Sequence, residues 1–224
     1  LDKKEDRMRE FFHLKIKELE EDLVEMGNMV INAIQKAILA LKELNMEEAQ
    51  KIIEGDRKID EKRWKMEEKC VNLIATQQPV ATELREFIAI LSIITDLERM
   101  GDHAEGIAKI ILMHGKKPLV KPLIDIPRMA EKAVDMLRRS LEAFLRRDVE
   151  SAKKIHAEDD EIDMLYEQIY RELLSYMIED PRTITRATYL LWVAHNLERI
   201  GDRITNICER IVYLVKGRIE EETQ

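Results

Sequence analysis

The chain has 224 residues and a formal net charge of −8 at pH 7; 45% of it is hydrophobic and 37% charged, with seven glycines and five prolines. A balance rich in Glu, Lys, Leu and Ile belongs to an all-α protein with little or no strand, long enough to bury a substantial core in one or two domains. It excludes non-specific binding to nucleic acid or anionic lipid, which needs a basic field, and points to proteins or cations as partners.

No run approaches 18 apolar residues, and the N-terminus carries no charged, apolar, small-residue export signal. The expected location is therefore cytoplasmic. Apolar periodicity, punctuated by proline, predicts helices over 5–43, 46–76 and 81–113, then over 127–146, 149–178 and 182–216. Pro79 and Pro181 mark equivalent turns, while Pro118 and Pro122 fall in a short basic stretch. The predicted organisation is a first three-helix bundle over 1–115, a linker over 116–126 and a second three-helix bundle over 127–224. Cys70 and Cys208 share no close spacing and lie in helical apolar patterns, so both read as reduced core residues.

Within this pattern one hexapeptide is written twice, Leu97-Glu98-Arg99-Met100-Gly101-Asp102 and Leu197-Glu198-Arg199-Ile200-Gly201-Asp202, at an offset of 100. With 45 acids in 224 residues, an isolated acid-x-x-x-acid pair arises by chance about nine times, so spacing alone proves nothing. Chance does not supply a second repeated pair upstream, Asp56 with Asp60 and Asp159 with Asp163, at an offset of 103. Ala49 with Ala152, Pro79 with Pro181 and Ile107 with Ile207 hold the alignment together. Two copies of a unit of roughly 100 residues follow, far longer than a solenoid repeat.

At about 100° per residue, Glu98 and Asp102 share one edge of their helix beside the apolar stripe of Ile90, Leu97, Ala104 and Ala108. Glu198 and Asp202 repeat this placement. Like charges at i and i+4 cost a helix a few tenths of a kcal/mol, and a multivalent cation would offset that. If the second and third helices of a copy face each other, Asp56, Asp60, Glu98 and Asp102 form one four-carboxylate cluster. Asp159, Asp163, Glu198 and Asp202 form the other. Oxygen ligand sets suit iron, manganese, magnesium or calcium and suit a thiolate-type zinc site poorly. The bland alternative pairs these acids with Arg99, Arg199 and nearby lysines on a solvated edge.

Arg99 and Arg199 are read as partners that orient the carboxylates. Gly101 and Gly201, each costing about 1 kcal/mol inside a helix, point to close approach of a neighbouring helix. His195 lies three residues before Glu198 and is a possible extra ligand, although its counterpart is Thr95; Glu105 extends the first acidic line where the second copy has Thr205. His103, replaced by Arg203 in the other copy, reads as a surface residue.

The stretch Leu197-Glu-Arg-Ile-Gly-Asp-Arg-Ile-Thr-Asn-Ile-Cys-Glu209, with Ile211-Val-Tyr-Leu-Val-Lys-Gly217 after it, resembles the C-terminal helix of the PhoU family. Asp96-Leu-Glu-Arg-Met-Gly-Asp-His-Ala104 is similar to that family's first-copy motif. The resemblance implies two tandem three-helix bundles and a cytoplasmic, often homodimeric regulator of phosphate uptake that restrains the phosphate-starvation response. It also implies a multinuclear metal cluster on each repeat, iron first, with manganese, magnesium, calcium or zinc as alternatives. The partners it implies are a phosphate ABC transporter, chiefly its ATPase subunit, and a sensor histidine kinase, with no nucleic acid and contact with the membrane only through partners. Asp96 opposite Asn196 and Gly106 opposite Asn206 depart between copies and bear on whether the two clusters are equivalent.

Two readings compete. One is a carboxylate-bridged oxidase or metal-dependent phosphohydrolase, but no Glu-x-x-His is duplicated and only Arg99 and Arg199 stand near the acids to grip phosphate. The other is a structural, chaperone-like helical adaptor, for which no motif speaks. The expectation is therefore a non-enzymatic regulator.

Overall fold

The computed structural model describes the backbone of residues 2–217 and the side chains of residues 12–217, so the last seven residues of the predicted second bundle, 218–224, lie outside the described residues. Three long helices, α1 (Asp2–Glu43), α2 (Met46–Gln77) and α3 (Ala81–His114), make the first bundle. The second comprises α4 (Asp125–Arg146), α5 (Val149–Ala157), α6 (Asp159–Glu179) and α7 (Ile184–Lys216), with a 3₁₀ turn over Pro181–Thr183.

The first turn of each bundle is built the same way. Leu44 (φ 51°) and Arg147 (φ 55°) end α1 and α4 in the left-handed region. The next residue then caps the following helix: Asn45 accepts from the Glu48 N–H and Asp148 from the Ser151 N–H, each at 3.0 Å. A non-glycine residue at positive φ needs compensation. Arg147 has it, since its guanidinium lies 4.6 Å from the Phe144 ring centroid, donates to the Phe144 carbonyl at 2.6 Å and to Glu20 at 2.6 Å, and pairs with Glu86. It thereby ties the second bundle to two helices of the first.

Three boundaries differ from those predicted. Helix α4 begins at Asp125 rather than 127, because Pro127 falls in the first turn, where backbone N–H groups have no intrahelical partner to lose. The predicted helix over 149–178 is interrupted at Glu158. There the Glu161 N–H closes onto the Glu158 carbonyl at 3.1 Å, a tight three-residue turn, while the Glu158 carboxylate accepts from Lys132 at 2.7 Å and Arg139 at 2.8 Å. The last helix starts at 184 because Asp180 caps the Arg182 N–H at 3.1 Å and the Thr183 hydroxyl donates to the Tyr176 carbonyl at 3.0 Å, holding a 3₁₀ turn.

Helices α3 and α7 form the centre. Each buries a continuous stripe, including Ile90, Leu97, Ala104 and Ile111 on α3 and Leu190, Leu197, Ile204 and Ile211 on α7. The most extensive helix contact joins these two, and α1 also packs on α4, so the two bundles share a face. Helix α2 touches α1 and α3, and α6 touches α4 and α7, which leaves α2 and α6 at outer positions. Cys70 and Cys208 are buried free thiols, and burial pushes both up to about 12, so neither carries a thiolate at neutral pH.

The approach of α1 to α4 depends on Gly27, where an added Cβ would collide with the Leu141 Cδ1 methyl. Gly55, on α2, has nothing within 4 Å of such an atom. Gly27→Val is therefore expected to lower unfolding free energy by about 1–3 kcal/mol through overpacking, and Gly55→Ala to raise it by about 1 kcal/mol through helix propensity. Urea unfolding of the two variants checks both signs.

Candidate metal centres

Helix α2 carries Asp56 and Asp60 on the face it turns to α3, and α6 carries Asp159 and Asp163 on the face it turns to α7. The motif glycines make these approaches possible. A Cβ on Gly101 would lie 3.0 Å from Asp56 Oδ1 and 3.1 Å from Ile59 Cδ1. One on Gly201 would collide with Asp159 Oδ1 and lie 3.2 Å from Ile162 Cδ1. The same aspartate and isoleucine, three residues apart, thus seat on the same glycine in each copy. The clearance admits both the carboxylate and the isoleucine of the outer helix, so the glycine serves close helix approach as well as the acid.

The acids of each copy act on one another. Asp56 is pushed up to about 7, first by burial and then by Asp60, Glu105, Asp102 and Glu98. Asp159 is pushed up to about 6 by burial, then by Asp163 and Asp202, with a smaller contribution from Glu198 and a partial offset from His156. Asp163 is raised by burial, Glu198 and Asp202. The predicted carboxylates of each copy therefore lie close enough to repel one another.

The arginines meet the motif acids. Arg99 donates to Asp102 at 3.1 Å and its Nε lies 3.6 Å from Glu98 Oε2; Arg199 donates to Glu198 at 2.6 Å and its Nη1 lies 3.0 Å from Asp202. No three Asp, Glu, His or Cys side chains among the described residues converge on one ion position. Glu98 Oε2 and Asp159 Oδ1 are nonetheless buried without a hydrogen-bond donor. An orphaned buried carboxylate oxygen in each group and the mutual repulsion of the acids are what an oxygen-ligated cation would relieve.

The remaining candidates divide. Glu105 lies beside Asp56 and accepts from Lys109 at 2.5 Å. His195, half-exposed, places Nδ1 3.4 Å from Glu198 Oε2 and its ring 6.2 Å from that of Tyr166, at the edge of the second group. His103 is not a surface residue: it is partly buried between the bundles, with Nδ1 3.0 Å from Asn196 Oδ1. Asp96 is buried at the same interface, accepting from Asn206 at 3.2 Å and Arg203 at 3.5 Å. The differences at 96/196 and 106/206 therefore belong to the contact of α3 with α7, where a Cβ on Gly106 would lie 3.0 Å from Asn196 Oδ1. Arg63 was missed by sequence reasoning. It donates to Glu98 at 2.7 Å and Glu67 at 2.8 Å, and its spacing of seven from Asp56 already places it on the acidic face of α2.

Comparison with known proteins places this arrangement. The family model described as the PhoU domain matches twice, over residues 23–111 and 126–211. The chain is 40% identical to the phosphate-specific transport system accessory protein PhoU homolog of Aquifex aeolicus, with 92% of this chain and 93% of that protein covered. It is 36% identical to the phosphate-specific transport system accessory protein PhoU of Escherichia coli K12, covering 92% and 86%. The crystal structure of the phosphate transport system regulatory protein PhoU from Streptococcus pneumoniae superposes with a TM-score of 0.87 at 35% identity, covering 94% of this chain and 99% of that one.

Proposed function

Since the chain belongs to the PhoU family, we propose that it regulates a phosphate transport system as an accessory protein without catalysis of its own, with the two carboxylate groups as its metal centres. The observation that carries this reading is the duplication itself. Both family matches contain the same four acids, and in each an aspartate of the outer helix seats against the motif glycine. A bound cation would supply positive charge between the outer helix and the central helix of each bundle. Asp56 and Asp60 would hold it from α2 and Glu98 and Asp102 from α3; Asp159 and Asp163 on α6 and Glu198 and Asp202 on α7 would hold the other.

In this reading the chain works in the cytoplasm as a homodimer. No helix among the described residues is long and apolar enough to cross a membrane. The proposed contact with a phosphate ABC transporter is with its ATPase subunit. The second proposed partner is the sensor histidine kinase, whose output the protein holds off while phosphate is plentiful.

Deletion of the gene is expected to derepress alkaline phosphatase in phosphate-rich medium. Phosphatase that stays repressed, together with unchanged phosphate uptake, would sink the regulatory reading.

A further inference from the structure

Helix α6 presents one outward face that changes character along its length. At about 100° per residue, Asp160, Asp163 and Glu167 on its first half and Tyr170 and Ile178 on its second all fall within about 40° of Leu174. All six side chains are exposed. Helix α7 runs antiparallel beside this face, since the Tyr166 ring lies 6.2 Å from that of His195 and Asp159 seats on Gly201. That register sets Ile184 alongside Ile178 and Trp192 alongside Tyr170. Tyr170, Leu174, Ile178, Ile184 and Trp192 are each 43% exposed or more. Helix α6 packs on α4, α5, α7 and the 3₁₀ turn and on no other element, so nothing among the described residues covers them. A contiguous apolar patch that includes a tyrosine and a tryptophan has the make-up of an interaction surface.

Charge selects what covers it. Helix α6 carries seven acids and one arginine. Glu161 and Glu172 point off this face and pair with Lys132 and Lys121. On the face itself, Glu167 lies 3.7 Å from Arg171 with the two side chains 72% and 73% exposed, a pair that fixes little. Arg199, on α7, is held by Glu198 and Asp202 of its own helix. The face is therefore acidic in one half and apolar in the other. The first repeat lacks this division: α2 carries eight acids and seven bases, and the matching positions read Arg57, Asp60, Trp64, Glu67, Val71 and Ala75. A second copy of the chain would bring the same acids to the face, and an anionic bilayer would be repelled by them.

We propose that the outer face of α6, with the first half of α7, is a docking site for a basic amphipathic helix of a partner protein. The apolar half of that helix lies against Tyr170, Leu174, Ile178, Ile184 and Trp192, and its lysines or arginines meet Asp160, Asp163 and Glu167. The site depends on no bound metal, so its failure would leave the metal reading untouched.

The test uses full chain carrying Trp64→Phe, in which Trp192 is the remaining tryptophan. The probe is a synthetic helical peptide of about 18 residues, matched to the length of the α6 face, with leucines along one half of one face and lysines along the other, made in both orders. One order should shift Trp192 emission to the blue and saturate, and the same peptide with glutamate for lysine should bind at least about tenfold more weakly. Leu174→Ser with Ile178→Ser, and separately Asp160→Lys with Glu167→Lys, should each weaken binding at least about tenfold, whereas Val71→Ser with Leu84→Ser on the first repeat should leave it unchanged. These side chains are exposed, and far-ultraviolet circular dichroism confirms that each variant remains helical. Absence of binding in both orders, equal binding of the lysine and glutamate peptides, or binding that Leu174→Ser with Ile178→Ser leaves intact would overturn the docking site. Self-association in sedimentation velocity that the same pair abolishes would assign the face to a second copy instead, and uptake onto phosphatidylserine vesicles lost in that pair would assign it to a membrane.

Discussion

Full-length chain carrying Asp102→Asn together with Asp202→Asn, purified without chelator, is expected to hold less than about a tenth of the metal that wild type holds. Each substitution replaces an anionic oxygen donor with a neutral amide at the position where α3 or α7 meets the outer helix, and it also frees Arg99 or Arg199 to compete for the neighbouring glutamate. Elemental analysis reads the loss. A general folding defect would produce the same loss, so the informative comparison is made after chelation. Stripped of metal, the wild type carries the full repulsion that pushes Asp56 and Asp159 up, and the variant carries less of it. The metal-free variant should therefore unfold at an equal or higher temperature than metal-free wild type, while metal-loaded wild type should exceed both. A variant that retains its metal would show that the carboxylates serve the surface pairs with Arg99 and Arg199 and nothing more.

Most of this architecture could be read from the chain because its signals are periodic and duplicated. Prolines at 79 and 181 and the apolar stripes of α3 and α7 located the helices, and the repeat offsets of 100 and 103 located the acids. The break at Glu158 was not legible, since Glu158 is an ordinary helix former whose local turn is held by Lys132 and Arg139 from α4. Only tertiary contacts create that feature. Asp96 and His103 were misread for a related reason. Periodicity places both beside the acidic edge of α3, but the packing of α7 against α3 turns that flank into the interface between bundles, where Asn206 and Arg203 meet Asp96 and Asn196 meets His103. Arg63 was available to a reading that extended the acidic face of α2 by one more turn.

The same electrostatics predicts an unusual pH profile for the metal-free protein. Asp56 and Asp159 titrate near 3.8 when unfolded and are pushed up to about 7 and about 6 in the fold, with Asp96 and Asp163 raised as well. In that window the folded state binds more protons than the unfolded state, so unfolding free energy falls as pH rises from about 4 to about 7. Other groups have the opposite sign, among them Asp22, Glu158 and His103. Glu158, held by Arg139 down to about 2, stabilises the fold at neutral pH and loses that only below its unfolded value of 4.5. His103, lowered mainly by burial, loses stability as pH falls below 6.5. Between pH 4.5 and 6.5 His103 opposes Asp56 and Asp159, and toward pH 7 the contribution of Asp56 remains. Chelator-stripped protein is therefore expected to be more stable at pH 5 than at pH 7, losing on the order of 5 °C in unfolding temperature between them. Asp56→Asn with Asp159→Asn should flatten that decline. Added Mn²⁺ should reverse it, because a cation binds the ionised carboxylates, and the stabilisation it brings should grow steadily from pH 5 to pH 7. Scanning calorimetry across this range, with and without metal, reads both effects; a stripped protein that gains stability toward pH 7 would mean that the acids do not repel one another in the fold.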